Sequence, residues 1–266
     1  MRRKRFLYRT AASLFAAVLL SFQICCYAAS RSGMAVAREG VFLALEEIGL
    51  ELSPPVAVST LSESGTVDLS RLENACIIGH SHAVGMKQSL DLSVPDYIAE
   101  IGLTAETMLS CWDFVLPDGS VGDLKKGLAA KNYEQIYVLL GSNDIPGGMA
   151  HLPDFRQDME ELLYIVEVYQ PKAEICLLSI APIGESLMNY FNAFCGLTQE
   201  TMDDYNYTLR SIAVDRGFDY LDITTPLSDA SGFLAKEYDQ GDGLHFTKAG
   251  NEIILNTILT HHEDLS

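Results

Sequence analysis

The sequence predicts an α/β protein built on a parallel, doubly wound sheet. Apolar runs of strand length alternate with segments of helical length through most of the 266 residues. Three of these runs end at a glycine next to polar side chains, and such sheets bind ligands at the carboxyl ends of their strands. About 235 residues follow a basic and apolar N-terminal segment without a low-complexity linker, which fits a single α/β domain.

The first predicted strand is the apolar run 74–78, which is followed by Gly79-His80-Ser81. Glycine at this point allows a sharp turn between the strand and a helix predicted to run through Lys87. Ser81 would then be exposed at the start of that helix. An exposed serine at a strand-to-helix turn is a candidate nucleophile.

The second and third predicted strands end beside groups that can donate hydrogen bonds. The run 97–101 precedes Gly102, where the missing side chain lets a backbone N–H approach a substrate closely. The run 135–140 precedes Gly141 and Asn143. An asparagine amide is a candidate donor to an oxyanion, and losing one such donor costs about 2.7–4 kcal/mol of transition-state stabilisation.

The later segments complete a five-stranded sheet. They are predicted as a helix at 154–169, a strand at 174–180, a helix at 199–216, a strand at 218–222 and a terminal helix that begins near Thr247. The segment 181–197 is predicted as a loop. Its aromatic residues would either shape an acyl or sugar pocket or pack against the sheet.

A candidate base and its orienting group lie close together near the C-terminus. Asp242 and His245 are three residues apart in a loop flanked by glycine. A carboxylate that binds one imidazole nitrogen fixes the tautomer that leaves the other nitrogen free to accept a proton from a serine. One short segment can therefore supply both groups.

These four motifs, in this order, resemble those of the SGNH hydrolases, also called GDSL-type lipases and esterases. The matching residues are Ser81, Gly102, Asn143, Asp242 and His245. The resemblance implies a flavodoxin-like three-layer α/β/α sandwich with parallel strand order 2-1-3-4-5. It also implies a Ser81-His245-Asp242 triad, an oxyanion site with Gly102 and Asn143, no metal or other cofactor, and hydrolysis of acetyl or acyl esters on carbohydrates and lipids.

The first motif departs from the family pattern, which has Gly-Asp-Ser where this chain has His80 before Ser81. The change bears on activity level and loop geometry more than on reaction type. The His80-x-His82 pair also suggests metal ligands, but no matching cluster of carboxylates and histidines accompanies it. We expect His82 to line the mouth of the site. The nucleophile elbow of α/β-hydrolases is a second resemblance, disfavoured because Asp242 and His245 share one loop.

The N-terminal segment, residues 1–30, is predicted to be a signal peptide or a membrane anchor. Five basic residues precede a long apolar run, so the rest of the chain would lie outside the cytoplasm, secreted or anchored. The next segment, 31–73, is predicted to form a helix at 33–49 and an extended connector at 52–70. The hydrolase domain would cover 74–266.

Charge and cysteine content limit the partners. The net charge is −18 and falls to about −23 when the first 29 residues are removed, which makes the domain a poor nucleic-acid binder. Cys76 and Cys176 fall in strands and are expected to be small buried hydrophobic residues. The sequence does not decide whether Cys111 and Cys195 form a disulfide, and it does not decide the oligomeric state.

The sequence therefore predicts an extracytoplasmic serine esterase that acts on O-acetyl or short-acyl esters of glycans or lipids. Two alternatives stay open. One is an acyltransferase that uses the same triad. The other is a catalytically weak glycan-binding or scaffold protein, for which His80 is the main support.

Overall fold

The computed structural model describes residues 69–261. The predicted signal or anchor segment 1–30, the helix predicted at 33–49 and nearly all of the connector at 52–70 lie outside the described residues, as do residues 262–266. The described part opens with a 3-10 turn at Leu69–Leu72.

Within residues 69–261, seven strands form two sheets. They are β1 (Ala75–Gly79), β2 (Asp96–Ala99), β3 (Phe114–Val115), β4 (Val121–Gly122), β5 (Gln135–Leu139), β6 (Glu174–Leu178) and β7 (Asp219–Leu221). β3 and β4 pair as an antiparallel hairpin, and the other five strands pair in parallel in the order β2-β1-β5-β6-β7. Counted without the hairpin, this is the predicted order 2-1-3-4-5, which is confirmed.

Eight α-helices connect and follow the strands within residues 69–261. They are α1 (Ser81–Leu90), α2 (Ala105–Ser110), α3 (Leu124–Ala129), α4 (Leu152–Tyr169), α5 (Glu185–Cys195), α6 (Gln199–Arg216), α7 (Thr224–Leu227) and α8 (Lys248–His261). α6 has the predicted bounds because its ends carry clear signals. Thr198 accepts a hydrogen bond from the N–H of Thr201 at the start, and Gly217 adopts the left-handed conformation at the end. None of the helices in this range combines the length and apolar composition that crossing a membrane requires.

The core lies in two layers, one on each face of the large sheet. Alternate strand residues such as Ile77 and Tyr137 pack with residues of α1 and α8, whereas Ile78 and Val138 pack with residues of α4 and α6. Because both faces are covered, β1 is buried along its whole length and β5 is buried from its second residue onward. The three-layer α/β/α fold is confirmed.

Two local predictions were wrong. The segment predicted as a loop at 181–197 contains helix α5, and β2 ends at Ala99 instead of Ile101. Gly79 ends β1 directly before the N-cap of α1, and its φ is not positive. A Cβ at Gly79 would lie 2.8 Å from both the Cβ of Ala83 and the carbonyl oxygen of Leu139, so glycine is needed there for the close packing of α1 against the sheet.

Topology brings the four motifs to one edge of the sheet. Strands β2, β1 and β5 are neighbours, so the residues that follow them meet at their carboxyl ends. The fourth motif precedes α8, which packs against α1, and the side-chain amide of Asn251 donates to the hydroxyl of Ser89 at 2.9 Å. That contact between helices places the C-terminal loop beside Ser81.

Candidate active site

Ser81, His245 and Asp242 form one continuous chain of hydrogen bonds. Ser81 is the first residue of α1, directly after β1 and the N-cap residue His80. Its Oγ lies 3.1 Å from Nε2 of His245, and Nδ1 of His245 lies 2.7 Å from Oδ2 of Asp242. The two distances fit an imidazole that accepts from the serine while it donates to the carboxylate.

The loop that carries Asp242 and His245 is held in shape by its own carboxylate. Oδ1 of Asp242 accepts from the N–H groups of Leu244 and His245 at 2.9 and 2.8 Å. Partial burial alone would raise the pKa of Asp242, but the hydrogen bonds from His245 and Leu244 outweigh it and lower the pKa to about 2. The carboxylate is therefore ionised at neutral pH and opposite an imidazole that can take up a proton.

The loop is also supported by the residue that precedes α5. The N–H of Gly184 donates to the carbonyl of Gly243 at 2.7 Å. A Cβ at Gly184 would lie 2.9 Å from the Cα of Gly243, so any side chain there would push the loop away. This contact could not be predicted from the sequence because the two glycines are far apart in the chain.

Three hydrogen-bond donors lie on the segments that follow β1, β2 and β5. The N–H of Ser81 is in the first turn of α1, where helical N–H groups have no intrahelical acceptor. Gly102 has a φ of +81°, which favours glycine, and no acceptor for its N–H lies within residues 69–261. Nδ2 of Asn143 donates one hydrogen to the carbonyl of Leu103 at 2.8 Å, which leaves its second hydrogen for another acceptor.

Family comparison agrees with this geometry. The sequence model of the GDSL-like Lipase/Acylhydrolase family matches residues 90–253, more than half of the chain. The chain belongs to this family. It is therefore an ester hydrolase of the GDSL type, and the resemblance seen in its motifs is confirmed. The match covers Gly102, Asn143, Asp242 and His245 but begins after Ser81, in keeping with the unusual first motif.

Several solved structures have a similar fold. A GDSL-like lipase from Bacteroides thetaiotaomicron is 14% identical, with a TM-score of 0.56 over 76% of this chain and 93% of that chain. A protein from Streptococcus pneumonia described as a platelet activating factor is 23% identical, with a TM-score of 0.55 over 71% and 83% of the two chains. A Bacteroides fragilis protein described as an acylhydrolase is 14% identical, with a TM-score of 0.56 over 72% and 86%. A search of curated proteins found no match.

The two histidines of this acylhydrolase's first motif are buried, and the prediction that His82 lines the mouth of the site was wrong. His80 and His82 are 1% and 2% exposed. Nδ1 of His80 accepts from the N–H of His82 at 3.3 Å, so His80 caps α1 through its side chain. No group of three or more potential metal ligands is found in the described part of the chain.

Asp144, which directly follows Asn143, is a site residue that the sequence analysis did not single out. Its side chain is fully buried, and its two oxygens lie 3.1 and 3.3 Å from the N–H of Ala105 at the start of α2. Burial raises the pKa of Asp144 above its usual value, and the hydrogen bonds with His151 and the Ala105 N–H offset only part of this effect. Nε2 of His151 lies 3.9 Å from the carboxylate, and this interaction with Asp144 raises the pKa of His151. The segment after Gly102 is thus hydrogen-bonded to the loop after β5 at two points, the side chain of Asn143 and the side chain of Asp144.

No disulfide joins any two of the four cysteines within residues 69–261. Cys76 and Cys176 are buried in strands, as expected, and burial raises the pKa of both thiols far above its usual range. Sγ of Cys111 instead donates to Asp113 at 3.2 Å, and Sγ of Cys195 donates to the carbonyl of Phe191 at 3.2 Å.

Proposed function

We propose that this protein is a serine esterase in which Ser81 is the nucleophile, His245 the general base and Asp242 the group that orients His245. The observation that carries the proposal is the unbroken chain from Ser81 Oγ through His245 to Asp242, at 3.1 and 2.7 Å. An ionised Asp242 fixes the proton of His245 on Nδ1 and stabilises the imidazolium when Nε2 takes the serine proton.

The reaction follows from these positions. Ser81 Oγ bonds to the ester carbonyl carbon as its proton passes to His245 Nε2, and the carbonyl oxygen becomes an oxyanion. The N–H groups of Ser81 and Gly102 and the amide of Asn143 donate to that oxyanion. His245 then protonates the departing alcohol, which leaves an acyl-Ser81. Water attacks this ester with His245 again as the base, releasing the carboxylic acid and restoring Ser81.

An activated serine can be tested directly. A fluorophosphonate probe should label the purified full-length protein in a time-dependent manner and should fail to label Ser81→Ala and His245→Ala. Circular dichroism spectra should show that all three proteins are folded. If folded wild-type protein is not labelled, or if Ser81→Ala is labelled at the same rate, the triad assignment is wrong and the binding or scaffold alternative gains support.

We further infer that the substrate is an O-acetyl or short-acyl ester of a glycan or a lipid, and that the protein acts on it outside the cytoplasm. The basic and apolar composition of residues 1–30 supports export or anchoring. The net charge of −18 disfavours polyanionic substrates by repulsion.

Helix α5 favours a glycan as the alcohol half of the ester. Leu187, Tyr190 and Phe194 share one helix face, and a Cβ at Gly243 would lie 3.0 Å from the Cβ of Leu187, so this face begins at the catalytic loop. The side chains of Tyr190 and Phe194 are 54% and 51% exposed, and their rings are nearly parallel, 11° apart. Flat exposed aromatic faces can pack against sugar rings.

The substrate proposal predicts release of acetate from acetylated glycans by wild-type protein but not by Ser81→Ala. An added sugar acceptor distinguishes hydrolysis from acyl transfer, since transfer yields an acylated acceptor in place of free acetate. Activity on simple acetate esters without any release from glycans would contradict the glycan assignment and leave the triad intact.

A further inference from the structure

Two buried histidines flank the proposed nucleophile, and neither has a part in the reaction described above. His80 caps α1 by accepting from the N–H of His82, and Nε2 of His82 lies 3.1 Å from the carbonyl oxygen of Leu244. The His82 ring also packs edge-on against the His245 ring, with centroids 5.9 Å apart and planes at 86°. It also contacts the Phe246 ring, with centroids 4.5 Å apart.

These contacts determine where the protons are. A carbonyl only accepts, so Nε2 of His82 must carry the proton that it donates to Leu244. Nδ1 of His80 accepts, so the proton of His80 is on Nε2. Burial holds the pKa of His80 down at about 3, with a smaller effect from His245, and burial likewise holds the pKa of His82 well below its usual value. Both rings are neutral at neutral pH.

The bond from His82 to Leu244 joins two elements that are distant in sequence. Ser81 is on α1, whereas His245 is on the loop before α8, 164 residues later. His82 directly follows Ser81, and Leu244 directly precedes His245. The bond therefore connects the immediate neighbours of the two reacting residues, so a shift at either end would change the distance between Ser81 Oγ and His245 Nε2.

The loop end of this bond is itself held in place. The N–H of Leu244 donates to Asp242 at 2.9 Å while its carbonyl accepts from His82. Asp242 fixes the shape of the loop, and His82 fixes its position relative to α1.

We propose that His82 is a positioning residue of this esterase, which ties the loop carrying His245 to the helix carrying Ser81 through its Nε2–H bond to the Leu244 carbonyl. The proposal rests on the triad proposed above. A neutral donor suits this position, because a lysine or arginine would place a positive charge beside the imidazolium that His245 becomes in the reaction. His80 supports His82 by holding its backbone N–H.

Two substitutions separate the hydrogen bond from simple packing. His82→Leu fills much of the same space without a donor, whereas His82→Gln keeps an amide N–H at about the position of Nε2. Gln88→Ala, on the exposed part of α1, serves as the control. The readouts are kcat and KM for p-nitrophenyl acetate, the rate of fluorophosphonate labelling, and the thermal unfolding midpoint of each full-length protein.

We expect His82→Leu to lower kcat and the labelling rate by about 10- to 100-fold, the scale on which a displacement of about 1 Å slows a positioned reaction. KM should stay unchanged, because His82 does not reach the substrate. His82→Gln should recover most of the lost rate, and Gln88→Ala should match the wild type.

Two outcomes would overturn the positioning role. One is full activity in a folded His82→Leu variant. The other is an equally large loss in His82→Gln and His82→Leu when both unfold at the same temperature, because that loss would follow packing and not the donor. An inactive, unlabelled wild-type protein would instead overturn the triad, and the positioning role with it.

Discussion

His80 supplies a hydrogen-bond acceptor at the N-terminus of α1 without adding a charge. Its Nδ1 accepts from the N–H of His82, which a carboxylate in this position would also do. A carboxylate would add a negative charge near His245, and the buried imidazole does not. This residue therefore keeps the local geometry of the first motif while it changes the electrostatics around the base.

We expect His80→Asp to move the acid limb of the kcat/KM profile to higher pH by about one unit. The added carboxylate would stabilise the imidazolium form of His245, so the active neutral form would require a higher pH. The measurement is kcat/KM for p-nitrophenyl acetate between pH 4 and pH 8. His80→Asn retains an acceptor without the charge, and its limb should stay in place. Equal shifts in the two variants, or none, would refute the electrostatic account.

At the scale of elements, Asp144 fastens the start of α2 to the loop after β5. Its carboxylate oxygens lie 3.1 and 3.3 Å from the N–H of Ala105, and the hydroxyl of Tyr205 donates to the Asp144 carbonyl at 3.2 Å. The donors proposed for the oxyanion, Gly102 and Asn143, are on the two segments joined here. Their relative position thus depends on a residue that does not touch the substrate.

Asp144→Ala should lower the free energy of unfolding by about 1–3 kcal/mol, because the buried N–H of Ala105 loses its acceptor. It should also lower kcat by displacing Gly102 relative to Asn143. Asp154→Ala is the matched control, since Asp154 also pairs with His151, at 3.8 Å, but is exposed. That control should change the unfolding free energy by less than about 0.5 kcal/mol. Denaturant titrations measure both, and equal stabilities in the two variants would contradict this role.

Long periodic elements were predicted well from the sequence, and short or uncapped ones were not. α4 and α6 carry apolar periodicity over many residues, and the buried strands stand out as continuous apolar runs. α2, α3 and the β3-β4 hairpin are too short for such a pattern. The N-cap residue of α5 is Gly184, which has no side chain to cap the helix, and the nearby Pro182 is itself a turn signal.

The residues of the site also divide into those that could be predicted from the sequence and those that could not. Ser81, Asn143, Asp242 and His245 stand in short motifs next to predicted strands or a predicted helix, so their residue types and order are visible in the chain. The roles of His82 and Asp144 depend on acceptors and donors 162 and 39 residues away. Only the folded topology reveals such partners, because nothing in the local sequence marks them.

At the scale of the whole molecule, His80 and His82 should make the fold sensitive to acid. Both are buried and neutral, and the pKa of His80 is lowered from 6.5 to about 3. Below about pH 6.5 the unfolded chain takes up protons that the folded protein excludes, so the stability present above this pH is lost as the pH falls. Each histidine should lower the free energy of unfolding by about 1.4 kcal/mol per pH unit in this range.

His151 acts in the opposite direction, and it allows a test of this prediction. Its pKa is raised by Asp144, so its contribution is present below pH 6.5 and is lost as the pH rises through its pKa in the folded protein. Denaturant titrations at pH 7, 6 and 5 should show a falling free energy of unfolding for the wild type and a shallower fall for His80→Asn and His82→Gln. His151→Gln should leave the fall between pH 6 and 5 nearly unchanged. Parallel slopes in the wild type and both buried-histidine variants would show that these imidazoles are not excluded from protonation in the folded state.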